Sequence, residues 1–514
     1  MEPIPTNPIL GPIPQHRSFS FPNSISFCSD FDSGNLALVE QVSATAFHLY
    51  TAADCALTLV EAGTRTWFHY SVQAPVDSEL TITMRNLNNQ GKLMREGLKP
   101  VTRKAAGTWE RLQEEVAYRQ NAETGQFEVE WTHRFSGEAE YFAFSYPWSY
   151  DDHLRFLKEL EISALSASVY LNKVCLTQSC EGRRCDLLTI SSFDNQQTER
   201  ETHIQGLFPL DEPLPHQFTG KRVVFLTARV HPGESPASHM LNGFLRFLFS
   251  RDVRARELLS HFVFKVVPML NPDGVFRGYY RTGVTGANEN RFYLCPNREE
   301  MPIIWAVKEL FCALQGNVAC YIDFHAHATK PGCFVFGNHM GDFQKQVETL
   351  LFARLLEVNN PYFDLSACSF SEKDMLTRDK GTNLSKEGCG RVVMYQVSRV
   401  QLCYTLECNY HGGKGSGAVG FDVGVFERMG AGLGPALLDY WEINPSSILA
   451  ETLTLSRLRL ETAQQVAAMA PYRNYTDVRL NRKSEEGLLS LLRGEPLSKR
   501  EEGESQPTSS LPKA

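Results

Sequence analysis

From about residue 31 to 150 the apolar positions fall in short blocks. "TWFHYSVQA", "ELTITMRNL", "QFEVEWTHRF" and "EYFAFSYPW" alternate or run apolar, are rich in aromatic and β-branched residues, and are split by Gly, Asn, Asp and Pro. No long helical period interrupts them. This pattern predicts an antiparallel β domain, a sandwich, over 31–150. "DDHLRFLKELEISAL" (151–165) then carries Leu154, Phe156, Leu157, Leu160 and Ile162 near helical spacing, which predicts an amphipathic helix within a linker spanning 151–185. From 186 to 445 the texture changes again. "DLLTIS", "RVVFLTA", "FVFKVVPML", "VACYIDFH", "CFVFGN" and "VQLCYTLE" read as strands. "ASHMLNGFLRFLFS", "IIWAVKELFCALQ", "FQKQVETLLFARLLEV" and "VFERMGAGLGPALLDYW" read as helices. Their alternation predicts an α/β domain with a mixed sheet. Residues 1–30 are rich in Pro, Ser and Asn and are expected to be disordered. Residues 446–514 are expected to hold a helical segment and a charged, disordered tail.

The 514 residues suffice for two or more domains and a large core. A hydrophobic fraction of 42% and a charged fraction of 21% are ordinary for a globular protein. The net charge of −8 argues against a general nucleic-acid binder, which is usually basic. No run of about 18 apolar residues occurs, so no membrane span is expected. The start, "MEPIPTNPILGPIPQHRSFS", has no apolar core of signal-peptide length and too many prolines for a helix. Thirteen cysteines, many inside apolar strand-like runs (Cys320, Cys333, Cys403), then read as reduced, buried thiols. Cys175, Cys180 and Cys185 recur at intervals of five, which is not the spacing of a zinc knuckle.

Candidate chemistry sits where the strands end. "KRVVFLTA" runs into "RVHPGES", where Pro232 and Gly233 turn the chain between His231 and Glu234. On spacing alone the pair could be two metal ligands, an acid/base pair or a polar loop. Three other polar clusters also end strands of the expected sheet, the place where open α/β sheets bind ligands. The first begins at "NPDG" and gives Arg277, Arg281, Asn290 and Arg291. The second gives Asp323, His325 and His327. The third gives Glu407, Asn409 and His411 before a Gly-rich loop, "HGGKGSG", that lacks the order of a phosphate-binding loop. A hydrolytic zinc site takes three His or carboxylate ligands, and His231, Glu234 and His325 fit that count. Glu407 is then the natural general base. Nearby arginines suit an anionic group on the substrate.

In the order H-P-G-E, N-P-D-G with N-R, D-F-H and T-L-E, the chain resembles the zinc carboxypeptidases. "FDSGNLALVE", "YPWSY" and "SKEGCGRVVMY" are similar to the cytosolic branch of that family, which carries a β-sandwich before the catalytic domain. "VFKVVPMLNPDGVFRGYYRT", "DFHAHATKPGCFVFGN", "FSEKDM" and "YTLECNY" are most similar to members that remove branch-point glutamates from polyglutamylated tubulin. The resemblance covers roughly residues 30–445. It implies one Zn2+ on His231, Glu234 and His325, with Glu407 as general base. It implies Asn290 and Arg291 on the terminal carboxylate of the substrate, Arg281 on the scissile carbonyl and Arg391 on an acidic side chain. It further implies glutamylated tubulin tails or other acidic proteins as substrates, no nucleic-acid or membrane partner, and a cytoplasmic location with microtubule, ciliary or nuclear association. Where the family reads "NLNR" or "DLNR", this chain has "NENR". Glu289 is expected to add charge near an anion site unless it points to solvent. Other readings are a carboxypeptidase for C-terminal acidic residues, an aspartoacylase-like amidohydrolase, and a non-catalytic binder of tubulin or acidic peptides.

Overall fold

The computed structural model describes residues 17–314, 316–379, 382–413, 420–447, 449 and 455–469. The expectations for 1–16 and for the tail beyond 469 lie outside the described residues. The first domain packs two sheets face to face. One has the order β1(Ser18–Phe21), β2(Ile25–Cys28), β5(His69–Gln73), β11(Glu140–Ala143), β7(Val101–Lys104), β8(Glu110–Arg111). The other has the order β3(Leu38–Gln41), β4(Ala46–Tyr50), β6(Glu79–Leu87), β10(Phe127–Arg134), β9(Ala117–Gln120). All pairs are antiparallel except β4 with β6, which is parallel. Alternate residues face inward as a half-buried strand requires, and Phe27, Phe47, Phe68, Tyr70, Trp131 and Phe142 fill the space between the sheets.

Two boundaries differ from those read off the sequence. Residues 17–30 are ordered: β1 and β2 extend the first sheet, and "ISFC" buries Ile25 and Phe27 in the aromatic core. Prolines stop before this hairpin, so the composition of the whole 1–30 window hid a local apolar alternation. The segment 151–185 is more than a linker. Its helix, α2(Tyr150–Ala167), has a Ser149–Asp152 capping box. It buries Phe156, Leu157 and Leu160, but Ile162 is 66% exposed. After it, β12(Tyr170–Gln178) already belongs to the sheet of the second domain. Its polar Asn172 and Lys173 masked the strand, because β12 lies at the sheet edge where polar side chains reach water.

The second domain is built on a seven-stranded mixed sheet. Its order is β12, β13(Arg184–Ser191), β17(Phe262–Val267), β16(Arg222–Ala228), β18(Val318–His327), β20(Leu402–Asn409), β19(Cys333–Phe336). A small hairpin, β14(Gln196–Arg200) with β15(His216–Phe218), stands beside it. The four middle strands are parallel and buried on both faces, which explains their continuous apolar runs. One face is covered by α3(Ser235–Leu248), α4(Val253–His261), α7(Phe343–Asn359), α10(Val423–Ala431) and α11(Leu433–Tyr440). The other is covered by α6(Pro302–Ala313) and α9(Gly390–Ser398). The stretch read as one helix at 425–441 breaks at Gly432 into α10 and α11. Among the described residues no helix is long and apolar enough to cross a membrane.

The order β17–β16–β18 carries the functional point. From β16 the chain steps first to one side, to β17, and later to the other, to β18. The crevice at the carboxyl ends of β16 and β18 is therefore a topological switch point, where ligands bind in open α/β sheets.

Candidate active site

His231 follows β16 through a turn whose geometry is held by a buried arginine. Arg229 has φ of 65° and is 1% exposed. Its guanidinium donates to the Pro232 carbonyl (2.7 Å), the Ser238 hydroxyl (2.9 Å) and the Trp148 carbonyl (3.1 Å). The turn then delivers Glu234 to the N-cap of α3, just before Ser235, where a helix N-terminus favours a carboxylate. Gly233 is required by close approach: a Cβ there would lie 2.4 Å from Cδ2 of Tyr280.

His325 lies on β18, and the parallel register places it directly opposite Glu407 on β20. Among the described residues, one group of potential metal ligands converges: His231, Glu234 and His325, all buried, with donor atoms within 4.8 Å of one another. Nδ1 of His231 lies 2.8 Å from one Glu234 oxygen, and Nδ1 of His325 lies 3.0 Å from the other. The opposite nitrogens are already committed. Nε2 of His231 meets Oδ1 of Asn288 (3.0 Å), and Nε2 of His325 meets Asp323 (2.7 Å). Each Nε2 then carries a proton, so Nδ1 is the nitrogen that each ring turns toward Glu234 and offers to a metal. Asp323 is anchored in turn by the Thr227 hydroxyl (2.8 Å).

The electrostatics fit a cation at this point. Burial lowers His231 to about 4, so it is a neutral imidazole near neutral pH. Burial raises Glu234, but His231 and His325 override it and hold the carboxyl well below its usual range. Burial lowers His325, yet Asp323 and Glu234 together drive it well above the ordinary imidazole value. Two buried carboxylates flanking one imidazole call for a positive charge, and zinc would displace the His325 proton on binding. Glu407 is 7% exposed, and burial chiefly lifts its carboxyl to about 7, the range of a general base at neutral pH. Its Oε2 has no hydrogen-bond partner among the described residues.

His231, Glu234, His325 and Glu407 line one cleft with Arg281, Asn290, Arg291 and Arg391. The structure thus brings together the eight residues given metal, catalytic or substrate roles, but with differing constraints, whereas Arg277 lies outside this cleft and pairs with Glu181. Arg281 is 35% exposed and lies 3.8 Å from Glu234. Asn290 accepts from the Gly390 amide at the start of α9 (3.1 Å). Arg291 is paired bidentately with Asp379 (2.9 Å for both contacts) and donates to the Asn290 carbonyl (2.7 Å). That leaves one N–H on each terminal nitrogen for another anion. Arg391 is 3% exposed and donates to Asn338 Oδ1 (2.8 Å) and the Gly337 carbonyl, while its Nε is without a partner among the described residues.

Glu289 corrects an expectation. It neither reaches the cleft nor points to solvent. It is buried against Gly283 and near Asp273, outside the lining of the cleft that holds Asn290. Burial, helped by the Asp273 charge, lifts its carboxyl to about 8, so it is neutral at pH 7 and adds no charge to the site. His327 lines the cleft, but its Nδ1 accepts from the Thr329 and Lys330 amides (3.1 and 2.9 Å), a loop-capping role. Sequence reasoning missed Asn288, Phe336, Cys389 and Thr405. Asn288 is two residues before Asn290 and had no spacing that distinguished it from a turn asparagine.

Residues 27–146 match the family model of the cytosolic carboxypeptidase N-terminal domain, and residues 157–327 match that of the zinc carboxypeptidases. The chain is 33% identical to cytosolic carboxypeptidase-like protein 5 of Rattus norvegicus, covering 89% of this chain and 73% of the relative. The chain belongs to the cytosolic carboxypeptidases. Within this family of zinc carboxypeptidases it is also 29% identical to cytosolic carboxypeptidase 6 of Mus musculus, over 86% of this chain and 77% of that one. A metallo-carboxypeptidase from Burkholderia cenocepacia shares the fold, with a TM-score of 0.65 at 23% identity, covering 82% of this chain and 99% of its own. Zinc is the metal the family implies, and the His-Glu-His donor set suits it. Glu407 lies beyond the 157–327 match, so its place rests on the strand register alone.

Proposed function

We propose that this cytosolic carboxypeptidase removes glutamate from polyglutamylated proteins, chiefly tubulin, including the branch-point glutamate. One Zn2+ per chain is held by His231, Glu234 and His325. When bound, it supplies Lewis acidity at the scissile carbonyl. Glu407 takes a proton from the attacking water and returns it to the leaving glutamate amine. Arg281 faces the oxygen that becomes negative during attack. Asn290 and the remaining Arg291 donors hold the substrate's terminal carboxylate.

The observation that carries the glutamate preference is Arg391. A guanidinium buried in the cleft with an unpartnered Nε–H is costly unless an acceptor arrives. An acidic side chain supplies one. Lys330 and Lys386 sit over the Phe336 ring (4.8 and 5.6 Å), and Lys386 also lines the cleft. They add positive charge for an acidic tail despite the net charge of −8.

The test offers zinc-loaded protein three substrates: tubulin with long glutamate side chains, tubulin with branch-point glutamates, and unmodified peptides ending in acidic residues. Glutamate release from the first two supports the proposal. Release from the third alone favours a C-terminal acidic carboxypeptidase, and binding without release favours a non-catalytic binder. Arg391→Gln is expected to lower kcat/KM for glutamate by roughly 10- to 100-fold, the loss of one charge-assisted contact.

A further inference from the structure

The β domain reaches into the active site through one carboxylate. Asp54 lies in the loop after β4 and is 1% exposed. Its own backbone is fixed at both ends, with its amide on the Thr64 carbonyl (3.0 Å) and its carbonyl accepting from Ala62 (2.9 Å). Its side chain crosses to the catalytic domain. Oδ1 accepts from the amide of Tyr280 (2.8 Å), and Oδ2 accepts from the amides of Arg281 (2.8 Å) and Thr282 (2.9 Å). Three consecutive amides converging on one carboxylate make an anion nest, and the occupant of this nest is supplied by the other domain.

The same short segment is tied to the metal-ligand turn on its other edge. The Tyr280 carbonyl accepts from the Gly233 amide (2.8 Å), inside the His231–Glu234 turn. Asn271 Nδ2 bridges the Thr282 and Val230 carbonyls (3.2 Å each). Residues 280–282 are therefore clamped between Asp54 and the turn that carries two proposed zinc ligands. The Arg281 side chain lacks such support: it is 35% exposed, and its nearest ion-pair contact is Glu234 at 3.8 Å. The backbone beneath it thus fixes where the Arg281 side chain enters the cleft. Neighbouring contacts zip the same border: Asn35 Nδ2 donates to Gly278 (3.0 Å), Ser33 N to Phe276 (2.9 Å) and Cys55 Sγ to Gly283 (3.3 Å).

We infer that Asp54 is a positioning residue for the reaction. It fixes the backbone of 280–282 so that Arg281 faces the reacting carbonyl, which makes the β domain a working part of the active site. The inference rests on the reading of Arg281 given above. A carboxylate matters here because every contact it makes is with a donor. An asparagine would turn an N–H2 group toward amide hydrogens and break at least one side of the nest.

The test is a double-mutant cycle in the full-length, zinc-loaded enzyme with Asp54→Asn, Arg281→Ala and the pair, scored by kcat, KM and zinc content on one glutamylated peptide. Removing an oxyanion donor costs about 10²- to 10³-fold in kcat, and displacing one is expected to cost Asp54→Asn roughly 10- to 100-fold. KM and zinc content stay within about two-fold. In the Arg281→Ala background, Asp54→Asn is expected to cost less than about two-fold, because the group it positions is gone. An equal cost in both backgrounds, or an unchanged kcat in the single variant, overturns the inference and leaves Arg281's role intact. Full activity in Arg281→Ala removes that role and the inference with it. If Asp54→Asn does not fold, Asp54→Glu keeps the charge and displaces the carboxylate, and it is read in the same cycle. Failure of both to fold overturns the inference in favour of a purely structural contact.

Discussion

His231, Glu234, His325 and Glu407 stand at or just beyond the carboxyl ends of three neighbouring parallel strands, β16, β18 and β20. Arg281, Asn290 and Arg291 lie instead on the long stretch between β17 and α6, which has little regular structure. The first group is held by strand register and a turn braced by Arg229, which reaches Pro232, Ser238 and the Trp148 carbonyl. The second borrows its support from elsewhere: Asp54 in the β domain, Gly390 at the head of α9, and Asp379. The metal half of the cleft is therefore built chiefly on the sheet, with Asn288 and Tyr280 as added braces, while the substrate half depends mainly on packing partners that are remote in sequence. Metal binding is then expected to tolerate changes that misplace substrate-facing groups, and the reverse is not expected.

The strongest way to break this contrast is at the sheet. His325→Ala is expected to lose bound zinc and essentially all turnover while the chain stays folded, as metal analysis and circular dichroism would show. Retained zinc would mean that the three-ligand reading is wrong. Asp323→Asn probes the same half more gently. It removes the carboxylate that fixes the His325 tautomer, and a lost second-layer partner typically weakens metal affinity by about 10- to 100-fold. Competition with a chelator measures this directly, and unchanged affinity would show that Asp323 does not orient the ligand.

A smaller effect is expected at Glu289, buried in the stretch that carries Asn290 and Arg291. The Glu289 carboxyl is lifted to about 8 in the folded chain, above its unfolded value. Folding therefore favours its protonated form. That contribution is complete below the usual carboxyl range and is lost as pH rises through about 8. Glu289→Gln removes the loss. Its thermal stability is expected to fall less than wild type between pH 5 and 9, by on the order of 1–3 kcal/mol at the alkaline end. Parallel stability curves for the two proteins would place Glu289 in a more solvated setting than the structure gives it.

The same contrast explains what the sequence made legible. Each metal-half residue follows a continuous apolar run, so His231, Glu234, His325 and Glu407 could be found as polar punctuation at strand ends. Asp323 lies two residues before His325 on the same strand face, which is a readable period. Arg281, Asn290 and Arg291 stand out as the polar stretch after "NPDG", but only the family's motif order gives each a role. The residues that support them had no local signal. Asp54 stands among small residues in "TAADCAL", and its partners are more than 200 positions away in the chain. Asn288 resembles a turn residue until His231 is seen beside it. Likewise β1, β2 and β12 are short or polar, and pairing with distant strands makes them strands.

The most direct test of the proposed chemistry compares wild type with Glu407→Gln on one zinc-loaded preparation each, measuring glutamate released from polyglutamylated tubulin together with zinc content. The account predicts release by the wild type, a fall of about 10²- to 10⁴-fold in the variant, and equal zinc in both. Undiminished release by Glu407→Gln with zinc in place would contradict it.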